Sequence, residues 1–132
     1  MSVQMFGVDV GGSGVKGAPV DLSTGKLSGE RTRIPTPKPS TPDAVADAIV
    51  EIVKAHEWLG PIGVTLPSVV INGVVKTAAN IDPAWIECDA AGLLSGRVGE
   101  PVTVLNDADA AGLAEVTYGA ARGESGVVLL LT

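Results

Sequence analysis

The sequence predicts an α/β domain built on a mixed sheet, and three observations support this prediction. Three apolar segments, residues 3–10, 14–21 and 26–34, follow one another across short links rich in turn-forming residues. Such short links favour antiparallel neighbours. Segments with helical spacing then alternate with short apolar runs, a pattern typical of strands joined by crossover helices. Finally, 132 residues with 45% apolar and 18% charged residues suit one globular domain with its own core.

The turn between the first two strands is rich in glycine and is flanked by an aspartate and a lysine. The residues of this turn that could bind a ligand are Asp9, Gly11, Gly12, Ser13, Gly14 and Lys16. Glycine adopts positive φ readily, and successive free amides in such a turn form a concave anion site. A lone carboxylate at a strand end suits magnesium, which keeps most of its water ligands. The turn therefore predicts a site for phosphate and magnesium, although an ordinary β-hairpin with a glycine turn explains the same residues. No helix follows the glycines, which excludes the Walker and dinucleotide patterns.

The first helix is predicted to begin after the proline-rich residues 35–40, which read as an extended surface connector. Thr41 is a good N-cap, Pro42 suits the first helical position, and Asp43 suits the positive end of the helix dipole. Apolar residues then recur at helical spacing as far as His56, the single histidine in the sequence. We assign His56 a structural role because it lies near the apolar face at the helix end.

The middle of the chain predicts a strand, a hairpin and a loop. Residues 61–66 form an apolar strand that ends before Ser68. Residues 69–76 form a hairpin around Asn-Gly, the strongest short hairpin signal. Residues 77–85 read as a loop whose amide, acid and aromatic side chains suit a polar-ligand pocket. A surface loop around a buried tryptophan is the alternative.

The last part of the chain predicts two more helices and two strands. A short helix begins at Asp89 and runs to about Arg97, and residues 101–105 form a strand. This strand leads directly through Asn106 and Asp107 into an alanine-rich helix over residues 108–121, which favours close packing on the sheet. A final strand follows in the apolar run at the end of the chain.

This order, three antiparallel strands followed by αβαβαβ, is the ribonuclease H-like topology found in the actin-like ATPase fold. Ligands in open α/β sheets collect at the carboxyl ends of strands, so Asp9 and Asp107 are expected to face one cleft. In a sugar kinase, one acid holds magnesium and the other accepts a hydroxyl proton. In a nuclease, several acids hold two metal ions. The alternative for Asp107 is a helix N-cap.

Composition narrows the function classes. A net charge of −6 and a pI of about 4.6 argue against nucleic acid or an anionic membrane as a partner, which disfavours the nuclease. The single cysteine, Cys88, excludes an internal disulfide and is expected to act as a small buried hydrophobe. We find neither a signal-peptide pattern nor an apolar run of transmembrane length, so a cytoplasmic location is expected.

Three motifs resemble the ROK (repressor, ORF, kinase) family of bacterial sugar kinases, with the strongest likeness to its actinobacterial polyphosphate glucokinases. They lie at residues 7–21, 77–81 and 105–115. The resemblance implies that the glycine turn binds the phosphoryl donor, with Asp9 holding magnesium. It also implies that Asp107 is the catalytic base. The residues that it assigns to the donor are Asp9, Gly11, Gly12, Ser13, Gly14, Lys16 and Thr132, after which the family's second phosphate motif follows. The residues that it assigns to glucose are Ser68, Asn80, Asn106 and Asp107, although at position 68 the family usually has glycine.

The resemblance implies a magnesium-dependent glucokinase that transfers a phosphoryl group from polyphosphate or ATP to the 6-hydroxyl of glucose. Residues 1–132 are then expected to be the N-terminal small domain of a two-domain enzyme, which lacks the C-terminal domain and is inactive alone. A homodimer is expected for the full-length protein, and self-association for the fragment. A non-catalytic sugar-binding or sensor module is the alternative. No basic run is visible, so the choice of polyphosphate over ATP depends on the resemblance alone.

Overall fold

The computed structural model describes residues 4–79 and 81–108. Its main sheet has six strands within these ranges: β1 (Gln4–Val10), β2 (Gly14–Asp21), β3 (Lys26–Leu27), β4 (Thr32–Pro35), β5 (Ile62–Leu66) and β8 (Val102–Asn106). A separate hairpin consists of β6 (Val70–Ile71) and β7 (Val74–Val75). The helices are α1 (Pro42–Ala55) and α2 (Ala90–Val98), and a short 3₁₀ helix covers Pro83–Trp85.

The order of strands in the sheet is β3-β2-β1-β5-β8, and β4 also pairs with β2. β2 is antiparallel to β1, β3 and β4, whereas β1, β5 and β8 are parallel to one another. The mixed sheet, with antiparallel strands first and parallel strands after them, is the one predicted. The carboxyl ends of β1, β5 and β8 therefore lie along one edge of the sheet.

The prediction of a single third strand over residues 26–34 is wrong. This segment is divided into β3 and β4, which pair with different parts of β2. The division lies opposite Pro19, whose carbonyl accepts a hydrogen bond from the Ser28 amide at 2.9 Å. Proline has no N–H to donate on that same edge, so the ladder loses a bond there and pairing resumes only at Thr32.

The hydrophobic core lies between the sheet and the two helices. Residues alternate along β1, so that Phe6, Val8 and Val10 are buried and join the core with apolar residues of both helices. α1 approaches the sheet closely at Gly17, where an added Cβ would stand 2.6 Å from the Ile52 Cγ2 atom. The alternate residues of β1, including Asp9, lie on the other face of the sheet.

The predicted helix starts and the hairpin are confirmed. The Thr41 side chain accepts a hydrogen bond from the Ala44 amide at the start of α1, and Asp89 caps α2 in the same way. Asn72 and Gly73 have φ values of 51° and 80°, the positive pair that a tight hairpin turn requires. These signals are local in sequence, which is why pattern alone located them.

Three residues singled out from the sequence are structural. The indole of Trp85 is fully buried and donates to the Ser40 carbonyl at 2.7 Å, so this tryptophan belongs to the core. His56 contacts the Thr32 hydroxyl through Nε2 at 2.8 Å and packs edge-on against Phe6. Cys88 is half-buried against the core, and this burial raises the pKa of its thiol.

Some predictions lie outside the described residues. These are the helix over 108–121 beyond its first residue, the final strand, Asn80 and Thr132. Asp107 and Ala108 are helical and follow β8 directly. Within residues 4–79 and 81–108, no helix combines the length and apolarity needed to span a bilayer.

Candidate functional site

The glycine turn joins β1 to β2 as a tight hairpin. Val10 and Val15 are the last paired residues, and the Gly11 amide donates to the Gly14 carbonyl at 2.9 Å. Positive φ occurs at four described glycines, all of them outside this turn, so the expected use of left-handed backbone here is wrong. Glycine serves close packing instead, since a Cβ at Gly14 would stand 2.5 Å from the Arg33 Nε atom.

Side chains from β4 and the proline-rich connector hold the carbonyl groups of this turn. The Thr36 hydroxyl donates to the carbonyl of residue 11 at 2.7 Å. The Lys38 ammonium donates to the carbonyl of residue 12 at 3.0 Å. The Arg33 guanidinium donates to the carbonyl of residue 13 at 2.8 Å. The three carbonyls are thereby drawn toward the connector, and sequence reasoning missed all three of these donors.

The amide groups in the centre of the turn remain available. In the part of the chain that the structure describes, the amides of Gly12 and Ser13 have no acceptor, and both residues are exposed. Adjacent free amides next to cationic side chains form the kind of concavity that binds anions. The local geometry is therefore a β-hairpin whose turn also has the polarity of an anion site.

Asp9 lies beside this turn on the sheet face opposite the helices. Its Oδ1 atom accepts a hydrogen bond from the Thr65 hydroxyl at 2.8 Å, and Thr65 is its register partner on β5. Lys16 is its register partner on β2, yet no ion pair within 4.0 Å joins the two described side chains. Asp9 is exposed and retains its Oδ2 atom without a donor among the described residues.

The donor set around Asp9 fits a magnesium ion that keeps most of its waters. The described residues contain no group of three His, Cys, Asp or Glu side chains that could enclose a metal. Magnesium is usually bound through one or two carboxylates together with water and substrate phosphate. One exposed carboxylate, oriented by a hydroxyl and placed beside free amides, matches that mode.

The second candidate acid follows β8. Asp107 is exposed, and within residues 4–79 and 81–108 its Oδ1 atom accepts only from the adjacent Ala108 amide, at 2.8 Å. The Oδ1 atom of Asn106 also accepts from Ala108, at 2.9 Å, which places Asn106 rather than Asp107 in the capping position before the helix. As far as the described residues show, the carboxylate of Asp107 retains acceptor capacity for another group.

Asp9 and Asp107 lie at the same edge of the sheet, with β5 between their strands. Asp9 also lines a groove of about 590 Å³ on the open sheet face, together with Lys16, Thr65 and Leu105. Asp107 is not among the described residues that line this groove. The topology places the two acids at one edge, and a shared opening between them remains a prediction.

Ser68 is hydrogen-bonded to Asn106, the residue before the second acid. It is only 3% exposed, and its hydroxyl has no hydrogen-bond partner among the described residues. Its carbonyl accepts from the Asn106 Nδ2 atom at 2.7 Å, which ties the end of β5 to the end of β8. A buried hydroxyl without a partner is costly, and it needs an explanation such as a bound ligand.

The predicted site residues that the structure describes lie in two separate groups. The turn, Asp9 and Lys16 form one group, while Ser68, Asn106 and Asp107 form the other. Asn80 and Thr132 lie outside the described residues. Sequence reasoning missed Thr65, although its polar place in the apolar strand at residues 61–66 was a visible signal.

Comparison with known proteins identifies the family. The family model described as "ROK family" matches residues 5–131, nearly the whole chain. The chain belongs to the ROK family. The resemblance inferred from the three sequence motifs is therefore confirmed.

Two curated relatives of the chain are named as glucokinases. The chain is 56% identical over 128 residues to the polyphosphate glucokinase of Mycobacterium tuberculosis, covering 96% of this chain and 48% of that protein. It is 33% identical over 131 residues to a glucokinase of Streptomyces coelicolor, covering 95% and 39%. The chain thus spans about half or less of the length of the curated relatives that it matches.

Solved structures confirm the predicted fold class. The inorganic polyphosphate/ATP-glucomannokinase of Arthrobacter sp. strain KM matches with a TM-score of 0.89 and 48% identity, covering 94% of this chain and 52% of that chain. A ROK family glucokinase from Streptomyces griseus, in complex with glucose and AMPPNP, matches with a TM-score of 0.79 and 32% identity, covering 92% and 38%. These kinases have the actin-like fold, and the mixed sheet described above is the part of that fold that this chain shares with them.

Proposed function

We propose that this chain is the N-terminal small domain of a two-domain glucokinase. The enzyme would transfer a phosphoryl group from polyphosphate or ATP to the 6-hydroxyl of glucose. Membership of the ROK family and the names of its relatives support the reaction class. The single observation that carries the proposal is the glycine turn, whose carbonyls are held from behind while its central amides are free beside Asp9.

On the donor side, the turn would bind phosphate. The amides of Gly12 and Ser13 would donate to phosphate oxygens, and Lys16 would add positive charge from the neighbouring strand. Asp9 would hold magnesium through its waters, and the ion supplies charge neutralisation at the transferring phosphoryl group. Gly11 and Gly14 shape the turn by letting it pack closely against Arg33. Thr132 would belong to the donor site as the residue that leads into the second phosphate motif.

On the acceptor side, Asp107 would act as the general base. Its carboxylate is exposed, and among the described residues it accepts only from the Ala108 amide through Oδ1, so it could accept the proton of the 6-hydroxyl as that oxygen attacks phosphorus. Ser68, Asn80 and Asn106 would bind glucose hydroxyls. The hydroxyl of Ser68, buried and with no partner in the described part of the chain, supports a polar ligand at this position.

Water must be excluded because hydrolysis of the donor competes with transfer. Closure of a second domain over the turn would achieve this exclusion. Residues 1–132 form only one side of the proposed cleft, so we expect them to be inactive alone and to self-associate. The full-length enzyme is proposed to be a cytoplasmic homodimer.

The proposal is tested by Asp107→Ala in the full-length enzyme. Loss of the general base should lower turnover by about 10²- to 10⁴-fold while glucose still binds. Glu51→Gln removes an exposed carboxylate from α1 and serves as the charge-matched control. Unchanged turnover would overturn the role of Asp107. Glucose binding without phosphorylation by the wild-type enzyme would favour the sensor module instead.

A further inference from the structure

The side chains of Arg33 and Lys38 contact the glycine turn, and those of Lys16 and Arg31 line the open groove that also contains Asp9. We call Lys16, Arg31, Arg33 and Lys38 the basic collar. Lys16 and Arg33 are register partners on β2 and β4, and the side chains of Arg33 and Lys38 bind turn carbonyls. Arg31 lies two residues before Arg33 and lines the open groove together with Lys16. The pairing of β4 with β2 thus places Arg33 beside Lys16, while Lys38 contacts the turn and Arg31 lies along the groove.

The charge of the basic collar is not neutralised within the described residues. No described carboxylate lies within 4.0 Å of any of its four cationic groups. By contrast, Arg97 bridges Asp43 and Asp47, and Lys76 pairs with Glu87. The collar holds four of the nine Lys and Arg residues of a chain whose net charge is −6. A protein of this charge repels anions at long range, so an anionic ligand needs a local cationic site.

We propose that the basic collar binds the phosphate groups of a polyphosphate donor that extend beyond the phosphate seated at the glycine turn. This inference depends on the proposed function and adds the donor class to it. A linear polyphosphate has a negative charge on every phosphate, whereas the charge of ATP stops at its triphosphate. Cations at the turn and along the groove, with no carboxylate partner among the described residues, are therefore complementary to the longer polyanion.

The basic collar also has free donors and a constrained backbone. Arg33 uses Nη2 for the Ser13 carbonyl and retains its other N–H groups, and Lys38 retains two of its three. Prolines at positions 35, 37 and 39 flank Thr36 and Lys38. Because proline restricts the backbone, less conformational entropy is lost when these residues meet a ligand.

The test uses Arg33→Gln and Lys38→Gln, singly and together, in the full-length enzyme. Glutamine retains an N–H donor for the turn carbonyl while the charge is lost. Lys54→Gln, on the exposed end of α1, is the charge-matched control. The probes are long-chain polyphosphate, tripolyphosphate and ATP, each examined in glucose phosphorylation and in direct binding at several salt concentrations.

Each lost charge should raise the KM and the Kd for long-chain polyphosphate by about two- to fivefold, and the double variant by about tenfold. The slope of log affinity against log salt should fall by about one for each charge. The constants for ATP should change by less than twofold. An equal loss for all three probes, or no difference from Lys54→Gln, would overturn the inference. If the wild type phosphorylates no glucose, the proposed function fails, and polyphosphate binding still decides the role of the collar.

Discussion

Thr65 donates its hydroxyl to the Oδ1 atom of Asp9 at 2.8 Å, across the parallel strands β5 and β1. This bond fixes one carboxylate oxygen of a residue that lines the groove on the open sheet face. Asp9 has Lys16 as its register partner on the other side, without an ion pair between them. The carboxylate is thus oriented by a neutral donor, which preserves its negative charge for a cation.

Thr65→Val should weaken magnesium-dependent activity of the full-length enzyme. Groups that orient a metal-binding carboxylate typically contribute about 10- to 100-fold to metal affinity or activity. We therefore expect the magnesium concentration for half-maximal rate to rise by about tenfold, and Thr65→Ser to restore it. A magnesium titration of the three proteins measures this effect. An unchanged titration in a folded Thr65→Val variant would show that the bond does not position Asp9 for the metal.

The variant Ser68→Ala should be more stable than the wild type and should bind glucose more weakly. The Ser68 hydroxyl is buried with no hydrogen-bond partner among the described residues. Such a group costs about 1–3 kcal/mol, so its removal should increase the free energy of unfolding by about 1 kcal/mol. Ser95→Ala is the matched control, because the Ser95 hydroxyl accepts from the Val102 amide at 3.1 Å and its loss should decrease stability by a similar amount. Denaturant unfolding in the absence of sugar measures both.

The same Ser68→Ala variant should raise the KM for glucose, because the hydroxyl is proposed to pair with the sugar. Steady-state kinetics with glucose varied at saturating donor provide the check. A variant that is destabilised like Ser95→Ala and keeps the wild-type KM would contradict the assignment of Ser68 to the sugar.

Gly17→Ala should destabilise the domain through the core. The added Cβ would stand 2.6 Å from Ile52 Cγ2 and 2.9 Å from Phe6 Cε1, at the closest approach of α1 to the sheet. Overpacking of this kind typically costs about 1–3 kcal/mol. In Gly96→Ala the Cβ meets no atom within 4 Å, and alanine favours the helix, so stability should rise by up to about 1 kcal/mol. Equal thermal midpoints for the two variants would refute the packing argument.

Asp21 is expected to titrate at low pH. The Ser23 hydroxyl, and then its amide, donate to the Asp21 carboxylate at 2.6 and 2.9 Å and hold its pKa below the ordinary value. Because the folded pKa is depressed, this contribution to stability is present above the unfolded pKa and is lost as the pH falls through the folded pKa. Ser23→Ala should raise the Asp21 pKa in an NMR titration of the carboxyl carbon, and an unmoved titration curve would be the contrary result.

Local features of the fold could be predicted from sequence because each is decided by neighbouring residues. Thr41 and Asp89 cap the helices that follow them by accepting from the amide three residues later, and Asn72-Gly73 turns the chain within a hairpin. The break between β3 and β4 could not be predicted in this way. It depends on which residue of the third segment stands opposite Pro19, and register is a property of the paired strands.

The sequence by itself determined the α/β class, the glycine turn beside Asp9, the placement of Asp107 after a strand, and the likeness to the ROK family. These conclusions depend on periodicity and short motifs, which a single stretch of chain carries. Only the tertiary structure decided that Thr65 orients Asp9 and that Arg33, Thr36 and Lys38 hold the turn. It also collected a cationic site in a chain with no basic run, because strand pairing brings together charges that lie far apart in sequence.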